Sequence, residues 1–131
     1  MKYRHSFHAG NFADVHKHVT LLALLTALKR KDKGFLYLES HAGRGAYSAR
    51  GDGGGGSGGH EAELGVERVV ATAFTAPELQ LYVQSITSFR DARGDKRAYP
   101  GSPLLAAHEL RPQDRGVAIE IQPSEARALE L

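Results

Sequence analysis

The chain has 131 residues, a formal net charge of +2 and no cysteine. That length is enough for one compact domain, and the absence of cysteine excludes disulfides, thiolate zinc sites and a cysteine nucleophile. The mild positive charge permits an RNA partner without requiring one. The longest apolar stretch, Leu21–Leu28, is far shorter than the ~20 residues that span a bilayer. We therefore expect a cytoplasmic protein with no membrane partner.

The first part of the chain predicts one helix after an irregular segment. Residues 3–11 are dense in aromatic and polar groups, so we expect them to cover a site or wrap another surface. Asn11 can cap a helix whose first turn contains Asp14. The basic residues 29–31 are expected in its last turn, and Gly34 should end it. The predicted apolar stripe consists of Val15, Val19, Leu22, Leu25 and Leu28.

Residues 35–45 follow, and we expect the rest of the fold to be arranged around them. The apolar run 35–38 suits a buried strand, and it ends at Glu39. Gly43 and Gly45 follow in a turn. Glycines let the backbone approach a ligand, and a carboxylate can accept hydrogen bonds from it, as in nucleotide-type cofactor sites. A plain turn between a strand and a helix explains the pattern equally well.

Residues 51–59 are almost all glycine and predict a flexible loop, since no Gly-Lys-Ser or Gly-Lys-Thr follows to make a phosphate loop. A helix over 61–73 should point Leu64, Val69 and Val70 inward. A second helix should start at the capping box Thr75-x-x-Glu78. Its expected apolar face consists of Leu79, Tyr82, Val83, Ile86 and Phe89.

The basic residues after that helix allow two interpretations, a solvated helix end or a phosphate-facing surface. They are Arg90, Arg93, Lys96 and Arg97. Residues 99–103 contain two prolines and predict a rigid turn, with a short helix over 104–110. The run 117–121 predicts a second buried strand closing on Glu120, whose carboxylate suits a ribose diol. Another helix should begin near Pro123.

Several motifs together make the chain similar to the RlmJ family of bacterial methyltransferases. They are Tyr-Arg-His-Ser-Phe-His-Ala-Gly-Asn at 3–11, Ala-Asp-Val at 13–15 with Lys17-His18, Phe-Leu-Tyr-Leu at 35–38 leading to His-Ala-Gly at 41–43, Tyr-Pro-Gly-Ser-Pro-Leu at 99–104, Glu120, and Pro-Ser at 123–124. The resemblance implies S-adenosylmethionine-dependent methylation of an adenine N6 in 23S ribosomal RNA, as naked RNA or an early assembly intermediate, without a metal.

The fold that the resemblance implies is α/β, a Rossmann-like methyltransferase fold with a helical insertion. Residues 1–50 would form the N-terminal segment, first helix, first strand and glycine turn. Residues 51–98 would form the glycine loop and the insertion. Residues 99–131 would return to the methyltransferase domain with the second strand, and we expect that domain to be incomplete, truncated at the C-terminus. The oligomeric state stays undetermined.

Site residues also follow from the resemblance, position by position. The expected cofactor contacts are Lys17, His18, His41, Ser102 and Glu120. Glu120 would bind the ribose hydroxyls, and Lys17 the cofactor carboxylate. Tyr3 would lie near the target adenine, where an aromatic ring can stack on the base. From helical periodicity alone, a solvated face is the favoured interpretation for Lys17 and His18.

One family motif is missing, because the sequence contains no Pro-Pro pair. The family's Asp-Pro-Pro-Tyr motif supplies the proton acceptor, so no catalytic residue is assigned. We expect an N-terminal portion that is inactive by itself. Two alternatives remain: a non-catalytic RNA-binding module, and a histidine-rich metal-binding hydrolase, which the seven histidines suggest. His16 and His18 point about 200° apart on a helix, which disfavours a shared ion.

Overall fold

The computed structural model describes residues 8–48 and 61–130. Its elements are α1 (Phe12–Leu28), β1 (Leu36–Glu39), β2 (Ala46–Ser48), a π-helical segment (Glu63–Glu67) that continues into α2 (Arg68–Val70), α3 (Pro77–Arg93), β3 (Ala98–Pro100), α4 (Ser102–Glu109), β4 (Arg115–Ala118) and α5 (Pro123–Leu129). Tyr3 and the glycine loop 51–59 lie outside the described residues. No helix in the described ranges is long and apolar enough to cross a membrane.

The strands form two small sheets. β1 pairs in parallel with β4, and β2 pairs antiparallel with β3. In the parallel pair, Leu36 lies opposite Arg115 and Leu38 lies opposite Val117. The chain is thus a mixed α/β structure with a parallel pair of strands, as expected. The strand β2 was not anticipated from the sequence.

The core lies between the helices, where α1 packs against both α3 and α4. Each of these helices contributes its apolar stripe, because residues three or four apart share one face. Leu22 of α1, Tyr82 and Ile86 of α3, and Leu105 of α4 are buried together with Val66 of the π-helical segment. The predicted inward faces of α1 and α3 are therefore confirmed at their centres. Leu28, at the end of the α1 stripe, is 50% exposed.

Helix α1 begins as predicted and ends earlier than predicted. The amide of Asp14 donates to Oδ1 of Asn11 at 3.0 Å, which confirms the N-cap. The basic residues 29–31 lie beyond the last turn, and Gly34 does not end the helix. The guanidinium of Arg111 donates to the carbonyls of Lys29 and Lys31 at 3.2 and 2.9 Å. Lys29 is thus the C-cap of the helix, and the carbonyls of the segment that follows are bound by Arg111.

The two parallel strands are not buried, and this part of the prediction is wrong. Leu36 and Leu38 are 60% and 56% exposed, and every residue of β4 is exposed. Within the described residues, helix α4 packs against β4 while Leu36 and Leu38 stay open to solvent. The strand β4 also ends at Ala118, so Glu120 lies two residues beyond it.

A π-helical segment replaces the middle of the helix predicted over 61–73. Gly65 adopts φ −104° and ψ −105° within it, and the amide of Val66 donates to the carbonyl of Gly10 at 2.8 Å. A Cβ at position 65 would lie 2.2 Å from that carbonyl oxygen. Glycine is therefore required for the close approach of the two segments. Leu64 is 56% exposed, contrary to expectation, whereas Val69 and Val70 pack against the core as predicted.

Two further boundaries differ from the sequence prediction. The N-cap of α3 is Ala76 and makes no side-chain hydrogen bond, so the Thr75 capping box does not form. Pro77 occupies the first helical position instead, where its fixed φ suits the helix and its missing amide hydrogen would have had no partner within the helix. The predicted turn over 99–103 begins instead as strand β3, in which Tyr99 and Pro100 are buried. Helix α4 accordingly starts at Ser102.

The start of the parallel pair is held by Asp114. Its Oδ1 accepts from the amide of Phe35 at 3.2 Å, and its Oδ2 accepts from Nε of Arg111 at 3.0 Å. The hydrogen bonds from the Arg111 side chain hold the pKa of Asp114 well below its ordinary value. One carboxylate thus joins the beginning of β1 to the loop before β4.

Replacing Gly65 with alanine is expected to destabilise the fold by about 1–3 kcal/mol, because the new methyl group would overlap the Gly10 carbonyl. Chemical denaturation of both proteins measures the difference. Gly116→Ala is the control, since a Cβ there meets only the Cδ1 end of Leu110, and its effect should stay within about 1 kcal/mol. Equal stability of Gly65→Ala and the native chain would contradict the assigned contact.

Asp114→Asn is expected to lower stability at pH 7 and to flatten the acid dependence of unfolding. Because the folded-state pKa is depressed, the charged carboxylate stabilises the fold above pH ~4, and this contribution is lost as the pH falls further. Urea unfolding between pH 7 and pH 3 tests this. Asp91→Asn removes the same charge from an exposed residue and should leave the acid dependence nearly intact.

Candidate cofactor site at the strand ends

The carboxyl ends of β1 and β4 lie at one edge of the parallel pair, where open α/β sheets bind their ligands. Beyond β1 the chain turns through Ser40 and His41 to the glycines 43 and 45. Beyond β4 it runs through Ile119 to Glu120. The amide of Ala42 donates to the carbonyl of Ile119 at 3.0 Å. The two strand exits are therefore joined directly to each other.

The glycine turn depends on glycine at both positions. Gly43 and Gly45 have φ values of 69° and 78°, in the left-handed region that favours glycine. A Cβ on Gly43 would also lie 2.6 Å from the hydroxyl oxygen of Tyr47. The carbonyl of Gly45 accepts from the amide of Gly101 at 2.6 Å. This bond brings the start of α4, and with it Ser102, to the turn.

Glu120 joins its own loop to the glycine turn. Its Oε1 accepts from the amide of Gln122 at 2.7 Å, and its Oε2 accepts from the amide of Gly43 at 2.8 Å. These backbone hydrogen bonds lower the pKa of Glu120 below its ordinary value, and the bond from Gln122 has the largest effect. The carboxylate is thus ionised at neutral pH and held at the glycine turn. His41, which is exposed, interacts electrostatically with it.

Glu39 is the second acid of this edge, and its side chain is engaged by neighbours. The hydroxyl of Ser102 donates to Oε1 of Glu39. The hydroxyl of Tyr37 donates to Oε2 at 2.6 Å. Burial and the bond to Glu39 raise the pKa of Tyr37. The sequence analysis gave Tyr37 no role at the site. Its two-residue spacing from Glu39, which places both side chains on one face of the strand, could have indicated one.

His18 is buried in the helical core, so the solvated-face interpretation is wrong for this residue. It is 1% exposed, its Nδ1 lies 2.7 Å from the hydroxyl of Tyr99, and the two rings stack with centroids 5.7 Å apart. The hydroxyls of Tyr99 and Tyr82 lie 3.2 Å apart. Burial raises the pKa of Tyr99, so it stays a neutral hydroxyl. Tyr99 links His18 to the segment that leads into Ser102.

Lys17 occupies the solvent side of α1. Its side chain is 53% exposed, and its Nζ lies 3.1 Å from Oδ1 of the buried Asp14. Oδ2 of Asp14 accepts from the amide of Gly10 at 3.1 Å. Through Asp14, the ammonium group of Lys17 therefore lies near the first turn of α1 and the segment that precedes the helix. The solvated-face interpretation agrees with its exposure.

The structure thus brings together three of the six site residues predicted from the sequence. His41, Ser102 and Glu120 surround the strand ends and the glycine turn, together with Glu39. His18 contacts Tyr99 instead, and Lys17 lies against Asp14. The prediction for Tyr3 falls outside the described residues.

Of the four basic residues at the end of α3 and after it, Arg90 does not belong to an exposed surface. Arg90 is 7% exposed, its Nη2 lies 2.7 Å from Glu67, and its Nε donates to the carbonyl of Ala98 at 3.0 Å. Arg90 is therefore a structural cation between α3, β3 and the π-helical segment. Arg93, Lys96 and Arg97 are exposed, with the guanidinium of Arg93 5.4 Å from the centroid of the Phe89 ring.

The histidines lie apart in the described part of the chain. His8 pairs with Glu61 at 2.8 Å, His16 is exposed, and His18 is buried. Across residues 8–48 and 61–130, no three His, Asp or Glu side chains gather as a metal site would require. The predicted separation of His16 from His18 is confirmed.

Comparisons with known proteins agree on one family. The family model described as ribosomal RNA large subunit methyltransferase D, RlmJ, matches residues 32–131. Two curated proteins named ribosomal RNA large subunit methyltransferase J are similar to this chain. That of Haemophilus influenzae is 40% identical over 125 residues, and that of Escherichia coli K12 is 42% identical over 125 residues.

Both alignments cover 95% of this chain and 44% of the relative, so the chain spans less than half the length of these relatives. A crystal structure of a Legionella pneumophila protein classed as DUF519 matches with a TM-score of 0.78 and 38% identity. That match covers 94% of this chain and 44% of the other. With residues 32–131 matched by the family model and both curated relatives bearing the family's name, this chain belongs to the RlmJ family of ribosomal RNA large subunit methyltransferases.

Proposed function

We propose that this chain is the S-adenosylmethionine-binding part of an enzyme that methylates an adenine N6 in 23S ribosomal RNA. The observation that supports this best is the carboxylate of Glu120, held 2.8 Å from the amide of Gly43 at the edge where two parallel strands end. The names of the curated relatives support a ribosomal RNA substrate. In this proposal the enzyme acts in the cytoplasm on naked RNA or an early assembly intermediate.

The residues at the strand ends fit such a cofactor. A carboxylate has about four acceptor sites, and the backbone amides of Gln122, Gly43 and Ile121 bond to that of Glu120. The remaining acceptor capacity is suited to a ribose hydroxyl. The left-handed glycines allow the chain to pass close to a ligand without side-chain obstruction. His41 is exposed beside Glu120, within reach of the same ligand.

Other residues of the site have proposed positioning or binding roles. Ser102 and Tyr37 hold the Glu39 carboxylate by hydrogen bonds at the end of β1. Lys17 is proposed to meet the cofactor carboxylate, which its exposed side chain permits. His18, proposed from the family pattern as a contact, would act through Tyr99 on the segment that positions Ser102.

In the complete enzyme, we propose a direct transfer in which positioning and local electrostatics supply the catalysis. When bound, S-adenosylmethionine supplies a methyl group on a positively charged sulfur. Tyr3 is proposed to orient the adenine, and no metal takes part. Since the 131 residues contain no Pro-Pro pair, the Asp-Pro-Pro-Tyr acceptor must come from elsewhere. The chain by itself is therefore proposed to bind cofactor without completing transfer.

The proposed domain arrangement follows the family pattern. Residues 1–50 and 99–131 would build the Rossmann-like methyltransferase part, and residues 51–98 would form the helical insertion. The packing of α3 against α1 and β3, away from the parallel pair, supports an insertion. An insertion also accounts for the long chain path between the glycine turn and Glu120.

Calorimetric titration of S-adenosylhomocysteine, with chelator present, tests the proposed site. We expect Glu120→Gln to weaken binding at least about tenfold, because it replaces a charge-assisted acceptor by a neutral one. Glu130→Gln, which alters an exposed acid after α5, is the control and should bind like the native chain. Equal affinity of the native chain and Glu120→Gln would contradict the role of Glu120. Failure of the native chain to bind would contradict a cofactor site formed by these residues alone.

A further inference from the structure

A groove of about 350 Å³ lies between the start of α1 and the π-helical segment with α2. Phe12 and Val15 line it from α1, Leu64 and Arg68 line it from the π-helical segment and α2, and Phe74 lines it from the loop that follows α2. We call the space between these five residues the Phe12 groove. Among the described residues that line it, Arg68 is the one charged residue.

The two sides of the groove are held in place by backbone contacts. The amide of Val66 donates to the carbonyl of Gly10 at 2.8 Å, which joins the π-helical segment to the residues before α1. Asn11 caps α1, so Phe12 is fixed as the first residue of that helix. The groove is therefore formed in advance, as sites for small ligands usually are.

The side chains of the groove combine an exposed aromatic ring with a cation that is not engaged elsewhere. Phe12 is 78% exposed and Leu64 is 56% exposed, and apolar surface left open in this way marks an interaction site. Arg68 is exposed, and its guanidinium takes part in none of the ion pairs between described residues. By contrast, Arg90 is bound to Glu67.

This chemistry fits a nucleotide. Unstacked bases of RNA bind by stacking on aromatic side chains, and a guanidinium can bind a phosphate through two parallel hydrogen bonds. The volume of about 350 Å³ is at the lower end of the ~300–1,000 Å³ of small-ligand sites. A groove of this size suits one nucleotide, whereas a helix of a protein partner would need a longer one.

We propose that the Phe12 groove binds one nucleotide of the RNA, with its base on the ring of Phe12 and a phosphate on Arg68. This inference rests on the proposed RNA substrate and does not depend on the proposed cofactor site. Lys17, proposed to meet the cofactor carboxylate, lies five residues after Phe12 on α1, which is about 8 Å along the helix axis. The bound nucleotide would therefore be a near neighbour of the target adenine.

Fluorescence anisotropy with two labelled single-stranded RNAs of about ten nucleotides, one intact and one abasic, tests the stacking contact. In the 131-residue chain, Phe12→Ala should weaken binding of the intact RNA at least about tenfold, because one stacked base is lost. Binding of the abasic RNA should change less than about twofold, since it has no base to stack. Leu24→Ala is the matched control, because Leu24 is a 58% exposed apolar residue of the same helix; it should leave both affinities unchanged.

Salt dependence tests the phosphate contact. Arg68→Gln should weaken binding of both RNAs and reduce the slope of log affinity against log salt concentration by about 0.7, the value for one phosphate contact on a single strand. Arg30→Gln alters an exposed cation beyond the other end of α1 and should leave the slope unchanged. Circular dichroism should show native melting temperatures for these variants, because each altered side chain is exposed.

Several outcomes would overturn the proposal. They are equal affinity of Phe12→Ala and the native chain for intact RNA, equal losses with intact and abasic RNA, and failure of the native chain to bind RNA. A dimer in sedimentation that Phe12→Ala dissociates would assign the groove to a second copy of the chain instead. Titration with S-adenosylhomocysteine separates the two proposals: a chain that binds RNA through Phe12 but does not bind this ligand contradicts the cofactor site alone.

Discussion

The parallel pairing of β1 with β4 is the constraint on which the rest of the structure depends. At its beginning, Asp114 binds the amide of Phe35. At its end, the amide of Ile119 donates to the carbonyl of Glu39 at 2.8 Å. Because parallel strands finish at the same edge, this pairing places the two acids Glu39 and Glu120 beside one glycine turn. Without it, the acids would belong to unrelated loops.

Features set by local chemistry could be predicted from the sequence. Asn11 caps α1 because its side chain reaches the amide of Asp14 three residues later. The buried centres of α1 and α3 follow from apolar spacing. The Thr75 capping box failed, because Pro77 starts the helix one residue later than the motif requires. The end predicted for α1 was also wrong: the C-cap is Lys29, whose carbonyl accepts from Arg111, 82 residues away along the chain.

Burial could not be read from local composition. The run 35–38 has the apolar character of a core strand, yet Leu36 and Leu38 face solvent, since coverage depends on what packs against the sheet. Conversely, the periodicity of α1 favoured a solvated His18, which is buried against the ring of Tyr99, a residue 81 positions away along the chain. The residues at the strand ends were predicted more successfully. The acids Glu39 and Glu120 and the glycines 43 and 45, which the sequence analysis placed after the strands, lie after β1 and β4 in the structure, Glu39 as the last residue of β1. The contact between Glu120 and Gly43 required the fold.

The long separation between the paired strands has a consequence for biosynthesis. Phe35 and Asp114 are 79 residues apart, so β1 must wait for most of the chain before its partner exists. At synthesis rates of about 5–20 residues per second, that delay is roughly 4–16 s. The helices α1 and α3 emerge well before β4 and can pack during this interval, whereas contacts between distant segments form slowly. The edge proposed to bind the cofactor is therefore among the last parts of the molecule to assemble, and until then the backbone groups of β1 that bond to β4 stay unpaired.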